Sequence, residues 1–271
     1  MLIRTASGLI GIAVFLALDF AGSVPFGVFA AIVSLISCLE LWIAFQRSKE
    51  YSVQPSLPLV LLGPIAVLLA TLNCQSSTVF NLLAAIGLLT VIFETVSAKR
   101  LTARSLMIDR IGTGLLIGGY TACYSAFVIL RNVDILSANG AWIMLFVAAT
   151  VWITDTFAYF FGRAFGAHPL ATHLSPKKTV EGAVAGLIGA VIFGVFAGKW
   201  IGLGWGLSAM IGLIAGVVGQ IGDLFESALK RNLGLKDISK LIPGHGGILD
   251  RFDSLLLTAP ATVILLRLLH Y

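Results

Sequence analysis

AWIMLFVAATVWITDTFAYFF, from Ala141 to Phe161, carries one formally charged residue, Asp155, in 21 positions. A helix needs about 20 apolar residues to cross the hydrocarbon core of a bilayer. A soluble surface helix of this length would show a polar face. The stretch therefore reads as a membrane span. Eight more segments of similar character flank it: Thr5–Ala21, Val24–Phe45, Leu57–Leu72, Val79–Val96, Ile111–Leu130, Val180–Ala197, Trp205–Ile221 and Ser254–Leu269. The third holds Pro58 and Pro64 and is expected to kink.

Composition agrees. Of 271 residues 58% are hydrophobic and 11% charged, with mean hydropathy +0.98. A soluble domain carries ~25% charged residues. This excludes a soluble enzyme, a disordered tail and a fibre, and the fold class expected is an all-α polytopic membrane protein of nine transmembrane helices. The net charge of +5 is no nucleic-acid signal here, because in a membrane protein the placement of the charges carries the information. Cys38, Cys74 and Cys123 form no CxxC and read as small apolar residues.

Nine spans put the chain ends on opposite sides. Fifteen Lys and Arg then fall on the side of the N-terminus; Arg131, Lys199 and Arg267 fall on the other. The positive-inside rule makes the N-terminus cytoplasmic and the C-terminus outside. Every long polar connection faces the cytoplasm. Residues 1–130 are expected to hold five spans, and 131–271 four spans with the polar loops.

Acidic residues are sparse. Glu40, Glu94 and Asp155 fall in apolar spans, where an ionisable group costs ~2.5–3.5 kcal/mol on insertion scales. For Glu40 and Glu94 the expectation is protonation or a structural hydrogen bond near a span end. Asp155 and Tyr159 stand one helical turn apart, with Gly162 and Arg163 following on nearly the same face, which reads as a polar stripe lining a site.

A second polar block, Ser175-Pro-Lys177-Lys178-Thr179-Val-Glu181-Gly182, directly precedes a span. Pro176 stands where a helix can start and Thr179 can cap one. Two lysines beside a helix N-terminus make an anion site, although juxtamembrane lysines are also ordinary flanking charge. The Thr-x-Glu-Gly that follows tips the reading towards function.

The third block runs from Asp223 to Asp253. Asp223, Glu226 and Ser227 share a helical face, and Asp250 and Asp253 share another if helical. Lys230, Arg231, Lys236 and Asp237 lie between, before Pro243-Gly244-His245-Gly246-Gly247. Hard oxygen ligands without a Cys/His set suit Mg²⁺, which binds one or two carboxylates plus substrate phosphates. The glycines allow close backbone approach to a phosphate.

Ser227-Ala-Leu-Lys230-Arg231, then Lys236-Asp237, Ser239 and Pro243-Gly-His245-Gly246-Gly247-Ile-Leu-Asp250-Arg251-Phe-Asp253 resembles the 27-residue signature of the phosphatidate cytidylyltransferase (CDP-diacylglycerol synthase) family. The 175–182 block and the 155–163 segment resemble that family's other polar regions. The resemblance implies that CTP and phosphatidate react to CDP-diacylglycerol and pyrophosphate, in a bacterial-type cytoplasmic membrane, with the site facing the cytoplasm. It also implies a homodimer. On this reading the catalytic group is Asp223, Asp250, Asp253, His245 and Lys178, and the three aspartates hold Mg²⁺, with a second cation possible beside it. Substrate contacts fall to Lys177, Thr179, Ser227, Lys230, Arg231, Gly246, Gly247, Arg251 and Asp155. Two alternatives remain: a transporter or channel, and a CTP-dependent lipid-alcohol kinase. Gly194, Gly198, Gly202 and Gly206 recur every four residues, as a dimer seam or as internal packing, of which the second is favoured.

Overall fold

The structure is a computed structural model that describes residues 2–48, 55, 57–72, 104–242 and 246–271. The expected span Val79–Val96, with Glu94, lies outside the described residues, as do Cys74 and His245. Five helices among the described residues are long and apolar enough to cross a membrane: Ser23–Arg47, Gly112–Asn132, Gly140–Phe165, Val180–Trp200 and Trp205–Asn232. Thr5–Ala21 and Gly63–Leu72 are shorter apolar helices. The chain is thus a helical membrane protein. It forms two compact units, residues 1–129 with 232–251 and residues 130–231 with 252–271.

In the first unit α1 (Leu2–Ala21) and α2 (Ser23–Arg47) turn at Gly22, whose φ of 128° suits glycine. Phe15 of α1 meets Phe26 of α2 edge to face, with centroids 5.6 Å apart. α3 (Leu57–Leu72) runs through Pro64, and α4 (Arg104–Ala122) follows. Polar side chains on α2 are buried but satisfied. Ser34 Oγ donates to the Thr121 carbonyl at 3.4 Å, and Ser37 Oγ lies 2.7 Å from the Tyr124 hydroxyl. Hydroxyls bonded to carbonyls or to each other suit a medium without water. Cys38 is buried and Cys123 half-buried, and neither forms a disulfide, in keeping with a small apolar role. The short α5 (Ser125–Asn132) leads out.

The second unit is built on α6 (Gly140–Phe165) and α7 (Val180–Trp200), with α8 (Trp205–Ile214), α9 (Gln220–Asn232) and most of α10 (Leu249–Leu268). Asn139 caps α6 by accepting from Trp142 N at 3.2 Å. Small residues bring α6 and α7 together. A Cβ on Gly182 would stand 2.6 Å from the Ala158 carbonyl, and one on Gly186 would stand 2.9 Å from that of Thr154. The opposite face of α7 carries exposed Val184, Ile188, Ile192 and Phe196 every four residues. In a bilayer that stripe meets lipid. Gly194 and Gly198 close instead on Ser208 and Gly212 of α8, which is internal packing. Gly202 sits in the following turn with φ 89°, and Gly206 has open space around its Cβ position.

α8 runs into α9 through a π turn, Ala215–Gly219. Gln220 Nε2 donates to the Gly216 carbonyl inside that widened turn, and to the Ala183 carbonyl of α7 at 3.0 Å. The span and the acidic segment after it are therefore one continuous column.

The described residues keep the expected all-α class, with one tiny sheet added to the helices. Between α6 and α7 lies an antiparallel pair, β1 (Pro169–Ala171) and β2 (Ser175–Thr179), closed by Val180 N donating to the His168 carbonyl at 2.9 Å. Pro176 stands inside β2 rather than at a helix start. A strand pair this short tolerates proline where no ladder bond is lost.

Candidate active site

Thr179 ends β2 and caps α7, its hydroxyl accepting from Gly182 N at 3.2 Å. The expected cap is correct. Glu181, in the first turn, accepts from Ala167 N and His168 N at 3.1 and 3.2 Å and lies 2.6 Å from His168 Nδ1. This carboxylate anchors the hairpin to the helix. Lys177 therefore points from a pinned strand and is exposed, while Lys178 is half-buried.

Lys178 Nζ forms an ion pair with Asp223 Oδ2 of α9. One turn on, Glu226 is fully buried and pairs with Lys230 Nζ at 3.0 Å. The spacing of four residues on α9 makes that second pair. Ser227 is half-buried beside it. Arg231 Nε donates to the Leu174 carbonyl in the hairpin at 3.4 Å, tying the end of α9 to the loop before β2.

α10 packs closely on α9. A Cβ on Gly222 would stand 2.7 Å from the Asp253 carbonyl, so only glycine lets the two helices approach there. Asp253 consequently lies within electrostatic reach of Asp223, Lys230 and Lys178. Two carboxylates and two ammonium groups thus gather within the second unit. Lys178 is the counter-cation of Asp223, and the side chains of both are about 30% open to solvent (30% and 28%). Such a cluster can exchange its lysine for a metal ion and turn the lysine to a phosphate.

Asp250 belongs to the first unit. Its Oδ2 accepts from Gly247 N at 2.8 Å and from Ile238 N at 3.3 Å. Gly246, at φ 84°, bridges to Ile242, whose N–H donates to the Gly246 carbonyl at 2.8 Å. A Cβ on Gly246 would meet Asp250 Oδ2 at 2.9 Å, and one on Gly247 would meet Glu40 Oε1 at 2.8 Å. The glycines do permit close approach, as their motif suggests. The groups that approach are the protein's own carboxylates. Glu40, whose role the sequence left open, accepts from Ser239 Oγ at 2.6 Å and from Ile248 N and Leu249 N, each at 2.9 Å. These are the structural hydrogen bonds near a span end that the sequence offers as one of its two roles. Three donors offset the cost of placing a carboxylate in an apolar span.

The remaining expected residues are more dispersed. Asp155 is exposed on α6, and Arg163 Nη1 donates to the Tyr159 hydroxyl at 3.2 Å. Arg251 is exposed at the start of α10. Among the described residues no three His, Cys, Asp or Glu side chains form a ready ligand group. Mg²⁺ needs no such cage when it binds one or two carboxylates and completes its shell with substrate phosphates and water. The oxygen-only donors at Asp223 and Asp253, the first partly open to solvent, fit that mode.

Clustered carboxylates and lysines beside apolar spans have the chemistry to hold phosphate groups at a membrane. The chain belongs to the cytidylyltransferase family, whose sequence pattern matches residues 2–269. Among similar proteins, phosphatidate cytidylyltransferase of Staphylococcus haemolyticus is 30% identical over 268 residues, covering 98% of this chain and 99% of that protein. The protein of the same name from Bacillus subtilis is 32% identical over 271 residues, 98% of this chain and 97% of that protein. That of Staphylococcus saprophyticus reaches 47% over 133 residues, about half of each chain (48% and 50%).

Proposed function

We infer that the chain is a phosphatidate cytidylyltransferase, converting CTP and phosphatidate to CDP-diacylglycerol and pyrophosphate. A phosphate oxygen of the lipid attacks the α-phosphorus of CTP. A new P–O bond forms there, the bond to the β-phosphate oxygen breaks, and pyrophosphate leaves with its electron pair. The nucleophile is already an anion, so catalysis is alignment and charge neutralisation. The observation that carries the site is the meeting of Lys178 with Asp223 beside Asp253.

Asp223, Asp250 and Asp253 are assigned to Mg²⁺, which when bound supplies Lewis-acid charge and orients phosphate oxygens. Asp250 precedes Asp253 by one turn of α10, and the two amides on its Oδ2 orient the carboxylate as an outer shell does for a ligand. CTP carries about −4 and phosphatidate about −2 by the usual phosphate charges. Lys178 exchanges Asp223 for a phosphate, and Lys177 and Arg231 add charge at the rim. Lys230, held by Glu226, lends its charge from a fixed place. Ser227, Thr179, Arg251, Asp155 and the Gly246–Gly247 segment line the substrates, and His245 stands in the same motif. The exposed apolar faces of the spans admit acyl chains from the lipid side.

The charge split supports nine spans with a cytoplasmic N-terminus and a site on the cytoplasmic face, and family resemblance supports a homodimer. A reporter fused after Tyr271 is expected outside; a cytoplasmic signal would overturn the topology and the count. Purified protein given CTP, Mg²⁺ and phosphatidate is expected to release pyrophosphate and to place the α-phosphate label on the lipid. Transfer of γ-label instead would identify a lipid-alcohol kinase. No CTP consumption would return the reading to a transporter.

A further inference from the structure

Glu40 lies outside both motif blocks, some 200 residues before the loop that it touches. Glu40 is 5% exposed. Ser239 reaches it from four residues before Pro243, and Ile248 and Leu249 reach it from directly after Gly247. Ile248 N and Leu249 N belong to the opening of α10, where helical amides have no partner in the helix itself. A negative charge at that end is also favoured by the aligned peptide dipoles. Leu249 opens α10 and Asp250 is the next residue. Asp250 in turn grips Ile238 N and Gly247 N, the immediate neighbours of the Glu40 partners Ser239 and Ile248. Two carboxylates, one from α2 and one from α10, thus hold the chain at Ile238 and Ser239 and again at residues 247–249. Gly247 lies between the two carboxylates, and a Cβ there would stand 2.8 Å from Glu40 Oε1, so a side chain would displace that carboxylate.

We propose that Glu40 is a positioning residue for cytidylyl transfer, fixing the first turn of α10 and so the orientation of Asp250. The proposal rests on the reading of Asp250 as a catalytic group. Glu40→Gln tests it, because glutamine keeps the shape but sets an NH₂ group against one of the two amides. The full-length variant is expected to remain monodisperse in detergent, with kcat at least ~10-fold lower and KM for CTP and phosphatidate within about 2-fold. Hydrogen exchange of the peptide spanning residues 246–250 is expected to accelerate in the protein without substrate, which reads the clamp apart from turnover. A folded Glu40→Gln protein with wild-type kcat, or with wild-type exchange in that peptide, would overturn the proposal. If Glu40→Gln does not fold, Ser239→Ala removes one hydroxyl partner only. It is expected to lower kcat about 3-fold and to speed exchange of the same peptide, and no change in either overturns the clamp. Asp250→Asn separates the two layers. Full activity in Asp250→Asn overturns the catalytic reading and the proposal with it. An inactive Asp250→Asn beside a fully active Glu40→Gln overturns the clamp alone.

Discussion

Glu226 and Glu40 are both buried glutamates on helices that continue apolar spans, yet their partners differ in kind. Glu226 faces a lysine four residues away on its own helix, in the unit where Lys178 also meets Asp223. Glu40 faces two backbone amides and a hydroxyl from a distant segment. The first arrangement holds its charges by opposite charge, and under the proposed function the Lys178–Asp223 pair opens to substrate or metal. The second spends its carboxylate on the backbone and yields a fixed shape. Carboxylate burial alone does not separate a reactive cluster from a structural one; the partner does.

The largest expected effect cuts across this contrast at Asp250. One oxygen, Oδ2, takes both amides, so Asp250→Asn can keep both bonds through its carbonyl oxygen while losing the charge. Turnover is expected to fall by at least ~1,000-fold, about 4 kcal/mol, with the protein still folded. Activity near wild type at limiting Mg²⁺ would make Asp250 a purely structural residue like Glu40. Next comes Glu226→Gln, which removes the hydrogen-bonded countercharge of the half-buried Lys230 ammonium. Losing one member of a buried pair typically costs about 3–5 kcal/mol, so a lower thermal midpoint in detergent is expected. A midpoint unchanged in this variant would mean that the pair contributes no stability, weakening the contrast.

Lys178→Ala follows. It is expected to lower kcat/KM for CTP at least ~10-fold, about 1.4 kcal/mol of transition-state stabilisation. Lys178→Arg separates chemistry from membrane orientation. If the lysine only enforces topology, the arginine variant is fully active and Lys178→Ala inserts poorly; a well-inserted Lys178→Ala protein with wild-type CTP kinetics removes the clamp. The smallest effect belongs to Thr179→Ala, which removes the cap of α7 and is expected to cost about 1 kcal/mol of stability. Thermal melts beside CTP kinetics would show whether the lysines of β2 depend on that cap.

Much of this was legible from local sequence. Hydropathy marks the apolar runs that become helices, and Thr179 announces its cap because the hydroxyl and its amide are three residues apart. The i, i+3 and i+4 spacing puts Asp223, Glu226 and Ser227 on α9 for the same reason. The hairpin was not legible. Ser175-Pro-Lys-Lys-Thr179 has no alternating apolar pattern, and its strand pairing is fixed from outside by the Glu181 bonds to 167 and 168. Glu40 was illegible for a different reason. Its partners lie near residues 239 and 249, and nothing in the neighbourhood of residue 40 encodes them. The spacing of the loop glycines reveals room for close approach but does not name the Asp250 and Glu40 oxygens that lie beside Gly246 and Gly247.

The π turn at Ala215–Gly219 gives the column from Trp205 to Asn232 an angular offset. An α-helix advances about 100° per residue, so one residue absorbed in a wider turn rotates everything beyond it by roughly that angle. Upstream, Gly212 faces α7; downstream, Asp223 faces Lys178 and Gly222 faces α10. Gln220, just past the turn, still reaches α7, and Asp223 three residues on meets Lys178, so the turn sets the phase in which the acidic face arrives. Sequence length in this stretch is therefore a functional variable in its own right. A one-residue insertion or deletion between Gly212 and Asp223 would turn the acidic face away from the lysine that it now meets.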